Sequence, residues 1–164
     1  MTWQIRRATV ADLAHILAIE QTTFGTDAWS EDLLRSELAS ENTYYIVATP
    51  AGAPEIVQGY AGLMVPPRAE EADIQTIAVA AEVRRMGLGR VLVRALLSEA
   101  RKRGARQVFL EVRADNPGAQ ALYLELGFEE IAVRPGYYQP DDVDAVVMKL
   151  VLAPRVPGPA VGVS

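Results

Sequence analysis

"DIQTIAVAAEVRRMGLGRVLVRALLSEARKRGARQVFLEV", residues 73–112, decides the fold. "DIQTIAV" (73–79) reads as a strand. From Gly87 to Arg103 the apolar positions Leu88, Val91, Leu92, Ala95, Leu96 and Ala100 keep helical spacing. Basic residues crowd the last turn of that helix, and Gly104 is placed to take a left-handed cap. "QVFLEV" (107–112) is again a strand. Strand, helix, strand within 40 residues implies a right-handed crossover and therefore a parallel pair.

The flanking sequence has a different rhythm. On the N-terminal side, Thr9 with Asp12 three residues on opens a helix over about 9–22, carrying Leu13, Ile16 and Leu17 on one face. Ser30 caps a second helix, "EDLLRSELA", whose first-turn acids suit the helix dipole. "TYYIVAT" (43–49) and "IVQGYAGLMV" (56–65) read as strands joined by the hairpin loop "PAGAPE", and "PPRAEEA" breaks the chain before residue 73. Three neighbouring antiparallel strands follow from this pattern. Downstream, "PGAQALYLELGF" (117–128) is a short helix with Pro117 at its start and Gly127 at its end, and "EEIAV" and "DAVVMKLVL" add strands. The Pro/Gly-rich "APRVPGPAVGVS" (153–164) has little to bury and reads as a loose tail after a single domain over 1–152.

Composition limits the function. The chain's 164 residues, half of them hydrophobic, fit one globular domain with a sizeable core. A net charge of -5 and a pI near 4.9 argue against nucleic-acid binding, which needs clustered Lys and Arg to displace counterions. No cysteine is present, which removes disulfides, thiolate metal sites and a sulfur nucleophile together. "MTWQIRR" has no apolar signal core and no run approaches the roughly 18 apolar residues of a membrane span, so a cytoplasmic protein without a membrane partner is expected. The lone His15 has no cooperating acid or serine at a telling spacing, and no His/Asp/Glu cluster suggests a metal.

Gly87 and Gly89, at the start of the long helix, sit among Arg84, Arg85 and Arg90. Unpaired N–H groups and the helix dipole make such a start a seat for phosphate, and the arginines add charge-assisted donors. An ordinary strand–helix turn with solvated arginines uses the same letters. No Walker string G-x-x-x-x-G-K-[ST] occurs. The dinucleotide fingerprint G-x-G-x-x-G meets Leu92 at its third glycine, with Glu111 as its only acid at the expected distance, and it belongs at the opening of a parallel sheet.

"VRRMGLGRVLV" (83–93) resembles the acetyl-CoA loop of the GNAT superfamily, [RQ]-x-x-G-x-[GA], filled here by Arg84, Gly87 and Gly89. "FLEVRADNPGAQALYLELGFEEIAVRPGYY" (109–138) is similar to the RimI type within it, the N-terminal acetyltransferases of ribosomal proteins, departing at Asp115 (more often Ser) and Ala28 (more often Pro). The resemblance spans about residues 1–152. It implies an α/β (α+β) GNAT fold: a mixed, mostly antiparallel seven-stranded sheet, about four helices, and strands 73–79 and 108–113 splaying apart. Acetyl-CoA is then the cosubstrate, without metal. Its pyrophosphate falls on Arg84, Arg85, Met86, Gly87, Leu88, Gly89 and Arg90, and its pantetheine on the backbone of Ile77, Ala78 and Val79.

Acyl transfer to an amine needs a neutral nucleophile, a polarised carbonyl and a proton for the departing thiolate. Alternation along "QVFLEVR" sends Glu111 to the face opposite Val108, Leu110 and Val112, where it serves either as a solvated carboxylate or as a base. Tyr123 reads from its helix as a core residue. The resemblance makes Glu111 the general base and Tyr123 the general acid, brings Asn116 to the cofactor besides its capping role, and assigns Trp29 and the loop residues Tyr137 and Tyr138 to the acceptor peptide. An α-amino group, with a pKa of about 7.7–8.0, is roughly a tenth neutral at pH 7, whereas lysine at about 10.4 is neutral in fewer than one molecule in a thousand, which favours an N-terminal acceptor. The expected partner is therefore the N-terminal segment of a ribosomal or other protein, with Glu31, Asp32, Asp141 and Asp142 favouring a basic one. Lysine or small-molecule acetylation, and a non-catalytic acetyl-CoA-binding module, are the rival readings; oligomeric state is not legible.

Overall fold

The computed structural model describes residues 2–152, and every strand among them joins one seven-stranded sheet. The strands are β1 (Trp3–Arg7), β2 (Thr43–Pro50), β3 (Gly59–Met64), β4 (Glu71–Val79), β5 (Gln107–Arg113), β6 (Glu129–Tyr138) and β7 (Val143–Val151), in the order β1-β2-β3-β4-β5-β7-β6. The helices are α1 (Leu13–Phe24), α2 (Glu31–Ala39), α3 (Leu88–Lys102) and α4 (Pro117–Glu125). All neighbouring strands are antiparallel except β4 and β5, as the crossover through α3 requires. The tail 153–164 lies outside the described residues.

Alternation on the strands builds two cores. Ile46, Ala48, Ala61, Leu63, Val108, Leu110 and Val112 face α3, with Leu88, Leu92, Leu96, Tyr123 and Phe128. Tyr45, Val47, Tyr60 and Ala78 face the other way, under Leu13 and Ile16 of α1 and Leu34 of α2. Gly62 is required here, because a Cβ on it would lie 2.3 Å from the Tyr45 ring, whose hydroxyl reaches Gln75 Oε1 at 2.8 Å.

One extra residue opens the sheet. β3 pairs Gly62 with Thr76 and Leu63 with Ile74, leaving Gln75 of β4 as a bulge. Because the side-chain period is two, the bulge reverses the faces of β4: Ala72 and Ile74 belong to the α3 core before it, and Ala78 to the α1 core after it. Parallel pairing of β4 with β5 covers only Glu71–Asp73 against Gln107–Phe109 and stops where the bulge bends β4, while β5 stays paired with β7 through Arg113.

Several boundaries differ from the sequence reading. β1 had no alternation to announce it, since two of its five residues are arginines on a sheet edge. Residues 56–58 precede β3 rather than belonging to it, with Ile56 48% exposed. Residues 10–12 form a 3-10 turn before α1, which itself continues to Phe24. α4 ends at Glu125, before the left-handed Gly127. The largest difference is at "RPGYY", expected as a loop: it completes β6, with a register shift between Arg134 and Tyr138 and the Gly136 N–H held by Asp144 Oδ1 at 2.9 Å.

Candidate active site

Past Asp73 and Phe109 the two parallel strands diverge and leave a cleft with two cavities. The smaller, about 540 Å³, is walled by Ile77 of β4, by Glu111 and Arg113 of β5, by Asn116 and Tyr123 beside and on α4, and by the end of α1. The larger, about 900 Å³, lies on the sheet face that α1 and α2 leave uncovered, and is lined by Trp29, Asp73, Phe109, Arg134, Tyr137 and Tyr138 among others. Glu111, Gln75, Trp29, Asp27 and Tyr138 line both, so the cavities meet where the strands part.

The anion seat lies beyond the end of β4, outside both linings. Arg85 (φ 64) and Gly87 (φ 89) are both left-handed, which turns the chain sharply into α3. Among the described residues, no protein acceptor takes the N–H groups of residues 87–90, the first such bond being Val91 N–H to Gly87 O at 3.3 Å. Consecutive free donors at a helix start form a cradle for an anion. A Cβ on Gly87 would meet nothing within 4 Å, so this glycine is dictated by its φ alone; Gly89 serves packing instead, since its Cβ would come 3.3 Å from Leu122. The pyrophosphate of coenzyme A fits these donors. The arginine side chains are engaged elsewhere: Arg84 Nε donates to Val79 O at 3.2 Å, and Arg90 is ion-paired with Glu125 of α4.

Tyr123 is 5% exposed and packs edge-on against Phe128 at 5.7 Å between ring centroids. Burial raises its phenol well above the usual tyrosine range, so it keeps its proton at neutral pH. Its hydroxyl has no hydrogen-bond partner among the described residues. Asn116 Oδ1 accepts the Ala119 N–H at 3.1 Å and so caps α4.

On the acceptor side, Glu111 Oε2 lies 3.3 Å from Arg134 Nε. Burial, then Glu71 and Glu111, raise the Asp73 carboxyl above its ordinary value. Tyr137 and Tyr138 stack edge-to-face at 5.1 Å, and burial followed by the nearby Glu111 pushes Tyr138 up to about 12. Beneath Trp29 lies Glu20, 1% exposed: it accepts the Trp29 N–H at 3.0 Å and the Thr76 hydroxyl at 3.2 Å, and burial raises its carboxyl above the ordinary value.

The cleft thus brings Ile77, Glu111, Asn116, Tyr123, Trp29, Tyr137 and Tyr138 together, while Ala78 is buried under α1 and Val79 pairs with Gly59. Glu20, Asp27, Gln75, Arg113 and Arg134 are further polar residues of the cleft; Arg113, sharing a strand face with Glu111, and Arg134 lie within the quoted stretch 109–138 without an assigned role, and no motif marks the other three. Glu31 is paired with Arg35 at 3.3 Å and Asp141 with Arg113 at 3.3 Å; the acids that line the larger cavity are Asp27, Glu71, Asp73 and Glu111, of which Asp27 is paired with Arg113 and Glu111 with Arg134.

A split parallel pair with a donor cradle at the following helix defines an acyl-CoA-dependent N-acyltransferase. The Acetyltransferase (GNAT) family matches residues 11–128, and the chain belongs to that family, whose members transfer acetyl from acetyl-CoA to an amine. The N-alpha-acetyltransferase RimI of Mycobacterium tuberculosis is 36% identical over 146 residues, 86% of this chain and 87% of that one. The crystal structure of the ribosomal-protein-S18-alanine N-acetyltransferase from Escherichia coli superposes with a TM-score of 0.83 at 33% identity, covering 96% of this chain and 98% of that one. Arabidopsis thaliana NAA60 in complex with acetyl-CoA shares the fold, with a TM-score of 0.82 at 18% identity over 92% of this chain and 99% of that one.

Proposed function

We propose that this chain acetylates the α-amino group at the N-terminus of a ribosomal protein. One observation carries the reading: a cofactor-side cavity with a buried, protonated Tyr123 and an acceptor-side cavity rimmed by Trp29, Tyr137 and Tyr138 meet at two carboxylates, Glu111 of β5 and Asp27, which Arg113 holds. The relative from E. coli is described as acting on the alanine of ribosomal protein S18, and that acceptor is carried over here. Four acids against one base, Arg134, in the larger cavity favour a cationic N-terminal segment. A ribosomal acceptor puts the reaction in the cytoplasm.

Bound acetyl-CoA supplies the thioester. The amides of Arg85, Met86, Gly87, Leu88, Gly89 and Arg90 hold its pyrophosphate, with Arg84 bracing the end of β4, and the backbone of Ile77, Ala78 and Val79 aligns the pantetheine arm past Asn116. Glu111 accepts a proton from the acceptor ammonium, directly or through water, freeing the lone pair that forms the new N–C bond. Tyr123 gives its proton to sulfur as the C–S bond breaks, and the second proton that the nitrogen sheds on becoming an amide restores the phenol.

Incubation with acetyl-CoA and a panel of N-terminal peptides, including the first ten or so residues of the host's bS18, read by mass for site and extent, tests the assignment. Label on α-amino groups is the expected result. Label on lysine side chains alone overturns the N-terminal assignment, and no label on any amine overturns the transferase reading of the site.

A further inference from the structure

Arg113 is the last residue of β5, and its side chain is 23% exposed. Nε and Nη2 form a paired contact with Asp115, at 2.9 Å to Oδ1 and 3.1 Å to Oδ2. Nη1 donates to Asp27, Nη2 also reaches Asp141 Oδ2 at 3.3 Å, and the guanidinium carbon stands 5.2 Å from the centre of the Tyr138 ring. One cation therefore satisfies three carboxylates from three separate segments.

The segments matter more than the count. Asp27 lies two residues before Trp29, in the turn between α1 and α2, and Asp141 three residues after Tyr138, between β6 and β7. Among the described residues, no hydrogen bond or ion pair runs directly between 25–30 and 136–142, so Arg113 is the bridge between the two rims of the acceptor cavity. The Asp115 and Asp141 side chains are about half exposed, which locates the cluster at the mouth rather than in the core. Only a planar fork with five donors serves three carboxylates at once; lysine offers a point charge.

We infer that Arg113 is a positioning residue: it clamps the Trp29 turn and the Tyr138 loop into one arrangement and so sets affinity for the acceptor peptide. The inference rests on the peptide-acceptor reading above. Hydrogen exchange and steady-state kinetics on the full chain test it, with the bS18-derived peptide as acceptor. In Arg113→Gln, amides of 25–30 and 136–142 are expected to exchange about tenfold faster while those of α3 do not change, and the peptide KM to rise about tenfold, the scale of losing one partly buried charge pair. The double variant Asp27→Ala/Asp141→Ala keeps the Arg113–Asp115 pair yet cuts both spans, so it reproduces that pattern, whereas Asp115→Ala leaves both rims near wild type. If Arg113→Gln does not fold, the double variant decides alone. Unchanged exchange in both rims, or a loss confined to kcat, overturns the clamp. Failure of wild type to acetylate any peptide defeats the acceptor reading instead, and the exchange result still decides the clamp.

Discussion

In the mechanism proposed above Glu111 and Tyr123 are the proton-transfer groups, and their variants are expected to behave differently from those of their neighbours. Glu111→Gln and Tyr123→Phe should each lower kcat about 100-fold or more, within the range for a lost proton-transfer group, with the KM for acetyl-CoA nearly unchanged; peptide turnover followed by coenzyme A release checks this. Glu20 carries a different signature. Its carboxyl is raised by burial, so its contribution to stability is complete below the ordinary glutamate value and is lost as pH rises through the folded-state value. Glu20→Gln keeps an acceptor for the Trp29 N–H without the buried charge, and is expected to gain about 1 kcal/mol at pH 7, the scale of a buried polar group, with the gain vanishing toward pH 4 in thermal melts. Strand alternation sends Glu111 away from the aliphatic face, and it was the family resemblance that read it there as a base. Glu20 was not legible at this scale, since a helix glutamate reads as solvated until Thr76, 56 residues away, closes over it.

At the scale of elements, the turn into α3 and the bulge in β4 do the positioning. Gly87 holds φ 89 with open space beside it, so Gly87→Ala costs backbone strain of roughly 1 kcal/mol or more and presents a methyl toward the cradle. The expected outcome is an acetyl-CoA affinity reduced about tenfold or more with peptide KM unchanged, measured by calorimetry and kinetics. Gly89→Ala, by contrast, pushes on Leu122 and is expected to lower stability instead. The motif announced both glycines but not their division of labour, because φ and the approach of α4 are set by different contacts. The bulge at Gln75 was equally silent, for no letter in "DIQTIAV" marks an unpaired residue; only the register with β3 does.

Across the whole molecule, stability and pH are linked through the tie between β1 and the start of α1. Arg6 donates to both oxygens of Asp12, at 2.9 and 2.8 Å, and Asp12 Oδ2 also accepts the Thr9 N–H at 2.9 Å. The Arg6 hydrogen bond foremost lowers the Asp12 carboxyl, so its contribution is present above the ordinary aspartate value and is lost as pH falls through the lowered one. Asp12→Asn is expected to cost about 1–3 kcal/mol at pH 7 and to flatten the acid limb of the stability curve, which denaturant titrations between pH 3 and 7 would read. Periodicity, caps and turn residues were enough to determine the order of elements from α1 onward and the parallel pair, because each depends on neighbours within a few turns of chain, whereas the base and cofactor residues were read from the family resemblance. The bulge at Gln75, the burial of Glu20 and the bridging of two rims by Arg113 were decided only in the tertiary structure. They arise from register, desolvation and ion pairs between segments as far apart as Asp27 and Arg113, and local pattern holds no record of such distances.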